Sequence, residues 1–376
     1  MAQKHILIIC GEASGEANAA NLATAIKEIY PSIKISATGS SLMKNLGVNV
    51  FYDIRNLAAF GFFDVIKKLP EFFSLMNTIL EKIEKEKPDV IILVDFSGFN
   101  LRLAKKINKS IPVIYYTSPQ VWASRLGRIK TIKRFISKMI VLFEFEEKFY
   151  REHGIDADFV GHPLLDIVKP AMHREEFLNK FTLSKDKITI ALLPGSRKTE
   201  VKNILPLMLK TAILINKKLP DTQFIIAKPA QLDWVVYNRI IGGVPLNLKV
   251  IEGKTYDCLH AADFALVASG TATMEAAILG KPFFVIYKMG LLNYLLYRPQ
   301  VKVPFIGMVN IIGRELIVPE FIQFNAKPGI IAEKTLELLN SHEKIRQMAD
   351  KLKSVKALLG ESGAAKRAAK IIAEII

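Results

Sequence analysis

The chain is short of the features that announce whole classes of protein. Its 376 residues hold two cysteines, Cys10 and Cys258, too few for a disulfide framework and in keeping with a reducing cytoplasm. No stretch reaches the apolar length of a membrane span, because charges break every candidate. The start, Met1-Ala2-Gln3-Lys4-His5, runs straight into an apolar strand pattern, so no signal peptide is expected. The six histidines are dispersed and no Cys/His cluster has ligand spacing, which speaks against a metal site. Asp156-Ala157-Asp158 matches a short D-x-D metal pattern, but it precedes the predicted strand 159–160 and reads as a solvated loop. A dinucleotide fingerprint is missing too, since Gly11-Glu12-Ala13-Ser14-Gly15-Glu16 lacks the third glycine and the spacing of G-x-G-x-x-G.

What the chain has is length, apolar content and positive charge. Half of its residues are hydrophobic, enough for two packed α/β domains. Fifty-two basic against 36 acidic residues give a formal charge of +16, which implies an anionic partner. The basic residues are scattered over 67–68, 105–106, 125–134 and 281–302, not gathered on one element. That ranks a membrane surface and an anionic substrate above nucleic acid. Strand patterns at 6–10, 34–36, 90–94, 113–116, 139–142 and 159–160 alternate with helical ones, up to a domain exit at Gly161-His162-Pro163. A second series at 189–193, 223–227, 249–251, 264–268 and 283–286 follows. This alternation predicts an α/β fold of two Rossmann-like domains with parallel sheets facing across a crevice. The expected domains are 1–165 and 166–353, with a helix at 354–376 that can pack back on an N-terminal domain.

Four segments carry chemistry. Ser269-Gly270-Thr271-Ala272-Thr273-Met274-Glu275 lies between an apolar strand and a helix. Such a turn offers backbone N–H groups and a positive helix end to a phosphate, with Glu275 placed for a ribose diol. A helix that merely starts well is the competing account. Leu192-Leu193-Pro194-Gly195-Ser196-Arg197 ends another strand; Ser196 can cap the next helix, while the planar Arg197 guanidinium suits a diphosphate. Asp95 closes the run 90–94 and is a candidate general base or a capping aspartate. Gly11 and Gly15 either admit a ligand to a strand end or simply make a turn, and His162 is either structural or at a site. The segment 57–80 is rich in Phe60, Phe62, Phe63, Ile66, Leu69, Phe72 and Phe73, with Lys67 and Lys68 among them. It reads as a core helix or as an interfacial surface that meets acyl chains.

Taken in order, these motifs resemble those of the lipid-A-disaccharide synthases, inverting glycosyltransferases of the GT-B architecture. The resemblance rests on Gly11-Glu12-Ala13-Ser14-Gly15, Asp95 with Phe99-Asn100, Ser118-Pro119-Gln120-Val121-Trp122-Ala123, Gly161-His162-Pro163, Leu193 to Arg197, Ala268 to Glu275, and Asn310 with Val318-Pro319-Glu320. It implies that UDP-2,3-diacylglucosamine and 2,3-diacylglucosamine 1-phosphate (lipid X) give the β(1→6) disaccharide 1-phosphate and UDP, with no cofactor or metal. On that basis Asp95 is the base. Arg197, Ser269, Gly270, Thr271, Ala272, Glu275 and Asn310 face the donor. Gly11, Glu12, Ser14, Gly15 and His162 line the acceptor side, and Phe62, Phe63, Ile66, Leu69, Phe72 and Phe73 touch acyl chains or membrane. The implied setting is cytoplasmic, peripheral on the inner face of the bacterial inner membrane, without nucleic acid; a homodimer is compatible with it. The sequence departs from the family at Glu16, at Ser124, and at Gly98, which leaves Asp95 without its usual acidic neighbour. A muramyl-lipid transferase or a UDP-sugar epimerase of the same fold is the alternative enzyme, and a basic module for membrane or nucleic acid the alternative without catalysis.

Overall fold

The computed structural model describes residues 3–57, 69–301 and 303–376. The chain forms two compact units, Met1–Pro163 with Pro299–Lys302 and Leu359–Ile376, and Leu164–Arg298 with Val303–Leu358. In the first, β1 (His5–Ile9), β2 (Lys34–Gly39), β3 (Asn49–Asp53), β4 (Val90–Val94), β5 (Val113–Tyr116), β6 (Lys138–Val141) and β7 (Ala157–Phe159) make a sheet of order β3-β2-β1-β4-β5-β6-β7. Every neighbouring pair is parallel. β1, β4 and β5 are buried at every position, as unbroken apolar strands covered on both faces should be.

In the second unit β8 (Ile188–Leu193), β9 (Thr222–Lys228), β10 (Leu248–Glu252), β11 (Phe264–Ala268), β12 (Phe283–Tyr287) and β13 (Glu320–Ile322) are ordered β10-β9-β8-β11-β12-β13, again all parallel. The predicted strands appear within a residue or two of their expected bounds, except β2, which runs three residues past the expected 34–36 because Ala37, Thr38 and Gly39 add no apolar run. β3 and β13 were not foreseen, because each is an edge strand whose mixed polar sequence carries no apolar run. The D-x-D reading also needs correcting. β7 starts at Ala157, so Asp158 is a strand residue, and it pairs with Lys138 at 2.7 Å and Arg151 at 3.1 Å.

In each sheet the strand order reverses once, between β1 and β4 and between β8 and β11. Loops leaving the carboxyl ends of strands at such a reversal diverge and open a crevice for ligands. The loops beginning at Gly11 and Asp95 flank the first reversal, and those beginning at Pro194 and Ser269 the second.

The helix Ala364–Ala373 packs on Ala13–Ile29, burying Ala364, Ala368, Ala369 and Ile372. Its approach is fixed by a backbone clasp. His162 N donates to Leu359 O at 2.9 Å, and Arg367 Nε donates to Val160 O at 2.8 Å. Gly161 is at φ +82, where a Cβ would stand 2.6 Å from Arg367 Nη2 and 2.9 Å from Glu361 O, so only glycine fits.

Candidate functional site

Asp95 sits on a strained turn. It and Phe96 both take left-handed backbone, at φ +50 and +45, which non-glycine residues hold only where their surroundings impose it. The surroundings are visible. Asn100 Nδ2 donates to the Asp95 carbonyl at 2.9 Å and to Val94 O at 3.3 Å, and the Tyr115 hydroxyl donates to the same Asp95 carbonyl. The backbone of the turn is thereby held in place.

The glycines of the first motif make room for this turn. A Cβ on Gly11 would lie 2.3 Å from the Phe96 ring, and one on Gly15 would lie 3.4 Å from Asp95 Cβ. Glu12, between them, is exposed. Burial first, and then the Glu12 charge, push the Asp95 carboxyl up to about 6. The expectation that Gly98 deprives Asp95 of an acidic neighbour is therefore corrected, because Glu12 supplies one from the other loop. Ser14 is exposed on the first turn of its helix. Glu16 faces elsewhere and accepts from Ser40 N and Oγ, at 2.5 and 2.9 Å.

Phe96 stacks on Phe99 at 5.1 Å between centroids and meets Phe72 at 5.9 Å. Phe72 thus belongs to a ring cluster beside Asp95, whereas Leu69 and Phe73 on the same helix, Leu69–Glu86, are exposed. Phe62, Phe63 and Ile66 lie outside the described residues.

The second unit brings its two loops side by side, since Leu193 pairs with Val267 in the β8–β11 register. Gly195 is at φ +113, and a Cβ there would stand 2.4 Å from Glu200 Oε2. That oxygen accepts from Ser196 N at 3.0 Å and Arg197 N at 3.3 Å. The following helix Lys198–Lys218 is therefore capped around Arg197 and Glu200 and not by Ser196, as the sequence suggested. Arg197 Nη1 reaches Glu200 Oε1 at 3.4 Å, with the side chain half exposed. The helix Thr271–Ile278 starts after Gly270 with no side-chain cap, leaving its electropositive end to the loop of Ser269, Gly270, Thr271 and Ala272. Glu275, one turn in, is half-buried and accepts from the Tyr256 hydroxyl at 3.4 Å; burial raises its pKa.

Two predicted residues have structural partners. Asn310 is fully buried and bridges Ile317 N, Val318 N, Val318 O and Glu320 Oε1, all at 2.8 to 2.9 Å. It fixes the segment 317–320. His162 follows β7, three strands or about 14 Å across the sheet from β4. There it meets the Phe143 ring, and burial lowers it to about 4.

Sequence reading missed Glu146 and Lys228. Glu146 is buried and pushed up to about 7 by that burial. It accepts from Ser118 Oγ at 2.7 Å and Trp122 Nε1 at 3.0 Å, while the Tyr150 hydroxyl donates to Pro119 O at 2.9 Å. Together they hold the 118–123 motif. Lys228 is buried at the end of β9, 3.2 Å from Glu252 Oε1 and over the Trp234 ring. A lysine closing an apolar strand was the signal for it. Among the described residues no group of three or more His, Cys, Asp or Glu is placed to hold a metal ion, and no helix is long and apolar enough to cross a membrane.

The profile of the Lipid-A-disaccharide synthetase family matches residues 6–376. A lipid-A-disaccharide synthase of Syntrophus aciditrophicus is 41% identical over 372 residues, covering 98% of this chain and 97% of that protein. One of Coxiella burnetii is 36% identical over 377 residues, covering all of both. Among solved structures, an S. aureus MnaA–UDP complex superposes with a TM-score of 0.66 at 14% identity, covering 100% of this chain and 98% of the other. MurG of Acinetobacter baumannii gives 0.57 at 15%, covering 99% of each. At such identities these two speak for the fold, which is GT-B.

Proposed function

The chain belongs to the lipid-A-disaccharide synthetase family of glycosyltransferases, and from that premise we propose how its residues carry out the transfer. The donor is UDP-2,3-diacylglucosamine and the acceptor 2,3-diacylglucosamine 1-phosphate. Asp95 takes the proton of the acceptor 6-hydroxyl as that oxygen bonds to the donor anomeric carbon. The bond from that carbon to the diphosphate breaks on the opposite face, its electron pair leaves with UDP, and the configuration inverts. Arg197 and the backbone amides of 269–272 stabilise the charge that grows on the leaving diphosphate. Glu275 holds the ribose, and Asn310 keeps the segment 317–320 in place beside the nucleotide. Gly11, Glu12, Ser14 and Gly15 form the wall on the acceptor side.

The observation that carries this reading is the Asp95 turn. A carboxyl at about 6, held at the sheet reversal by two hydrogen bonds to its own carbonyl, is built to take a proton near neutral pH. The charge of +16 and the exposed Leu69 and Phe73 support a peripheral position on the anionic inner face of the inner membrane. The direct test is a product assay in detergent, with chelator present, using acylated donor and acceptor. Disaccharide is expected; turnover of water-soluble UDP-N-acetylglucosamine in place of the acylated donor would overturn the assignment. Asp95→Ala should nearly abolish turnover and leave UDP affinity almost intact. A large loss of UDP affinity would show that Asp95 serves the nucleotide.

A further inference from the structure

Between Asp95 and Glu144 the chain carries ten Lys and Arg residues and no Asp or Glu. Most are ordinary surface lysines, but three arginines converge beside the Asp95 turn. The helix Ser97–Ala104 begins two residues after Asp95, with no side chain capping its first turn. Arg128 Nη1 donates to Ser97 Oγ at 3.1 Å, so a half-buried guanidinium lies over that start. Arg125, on a left-handed residue at φ +59, opens the short turn Leu126–Arg128. It gives Nε and Nη2 to Gln300 Oε1 at 3.4 and 3.3 Å. Arg102 is exposed on the Ser97–Ala104 helix itself. Burial, Arg125 and Arg102 all draw the Arg128 guanidinium below its usual range, so two like charges bear on the half-buried one. Among the described residues none of the three is ion-paired. Crowded, unpaired arginines that include a half-buried one are costly unless an anion joins them.

We propose that Arg128, Arg102 and Arg125, with Ser97, form a subsite for a phosphate monoester, the 1-phosphate of the acceptor sugar. The assignment rests on the acceptor named in the preceding subsection. A phosphate monoester carries between one and two negative charges at neutral pH and three acceptor oxygens, which suits several guanidiniums and a hydroxyl. Placement agrees as well. In the acceptor the phosphate at C1 lies across the ring oxygen from the 6-hydroxymethyl group, so it must dock near the base but apart from it. Arg128 meets that condition. Its guanidinium rests on Ser97, two residues beyond Asp95 on the next helix turn. Phosphate docking there would orient the 6-hydroxyl toward Asp95.

The test compares two acceptors, 2,3-diacylglucosamine with and without its 1-phosphate, on wild type, Arg128→Gln and Arg102→Gln. Each variant should raise KM for the phosphorylated acceptor by about tenfold or more, the scale of one charge-assisted hydrogen bond. Each should leave kcat/KM on the phosphate-free acceptor within about twofold. Equal losses on both acceptors, or none on either, would overturn the subsite. Arg102 is exposed, so its variant stays informative if Arg128→Gln folds poorly. Calorimetric binding of the two acceptors in detergent, without donor, reads the subsite even where no product forms. A wild type that discriminates in binding yet makes no disaccharide would sink the reaction and keep the subsite. Phosphatidylglycerol vesicles separate the other source of phosphate, since variants should bind them like wild type. Weakened vesicle binding without acceptor discrimination would assign the arginines to lipid headgroups and overturn the proposal.

Discussion

A carboxylate that must accept a proton works best when its pKa approaches the working pH, and burial together with Glu12 moves Asp95 that way, to about 6. The same shift costs stability. The folded state disfavours the charged form, so the contribution of Asp95 is full below its unfolded value of about 3.9 and is lost as pH rises through about 6. Asp95→Asn should therefore raise stability at pH 8 by roughly 1–3 kcal/mol, with the gain vanishing toward pH 4, as thermal melts at the two pH values would show. No gain at pH 8 would mean that the carboxyl is not penalised there. Turnover should rise with pH around an apparent pKa near 6, and Glu12→Gln should move that midpoint to lower pH. A midpoint that stays put removes Glu12 from the electrostatics of Asp95.

At the scale of elements, the turn after β4 and the turn after β1 are one construction, because Phe96 occupies the space that a side chain at position 11 would need. Gly11→Ala should cost about 1–3 kcal/mol and lower turnover more than UDP affinity, since it displaces the Phe96–Asp95 pair. Gly98→Ala meets nothing within 4 Å and replaces a helical glycine, so its melting temperature should hold or rise. A silent Gly11→Ala would mean that the Phe96 ring moves aside freely. The elements themselves were legible because the apolar strands 90–94 and 264–268 are bounded by small or charged residues. β3 and β13 were not, being short edges without that contrast. Nor could spacing show that Glu12 faces Asp95, that Glu146 grips Ser118 and Trp122, or that Asn310 works on the backbone of 317–320. Those are contacts between distant segments, fixed by strand order and not by local sequence.

At the scale of the whole molecule, the proposed membrane position divides into two parts: positive charge would draw the chain toward an anionic surface, and apolar side chains would decide whether it stays. Replacing Leu69 and Phe73 by serine should weaken partition onto phosphatidylglycerol vesicles by at least about tenfold, since each loses a burial of about 1.5–3 kcal/mol. Phe72→Ser should lower the melting temperature instead, because its ring packs on Phe96 and Phe99. A Leu69/Phe73 double variant that sediments with vesicles like wild type would place the membrane contact elsewhere. The clasp of residues 359–376 on the first unit has a consequence for biosynthesis. Roughly 200 residues separate His162 from its partner Leu359, which at about 5–20 residues per second takes the ribosome roughly 10–40 s. Throughout that interval the Ala13–Ile29 helix has emerged without the partner that covers it. The nascent first unit thus carries a bare flank, and a holdase that shields apolar helices would find it there until the tail arrives.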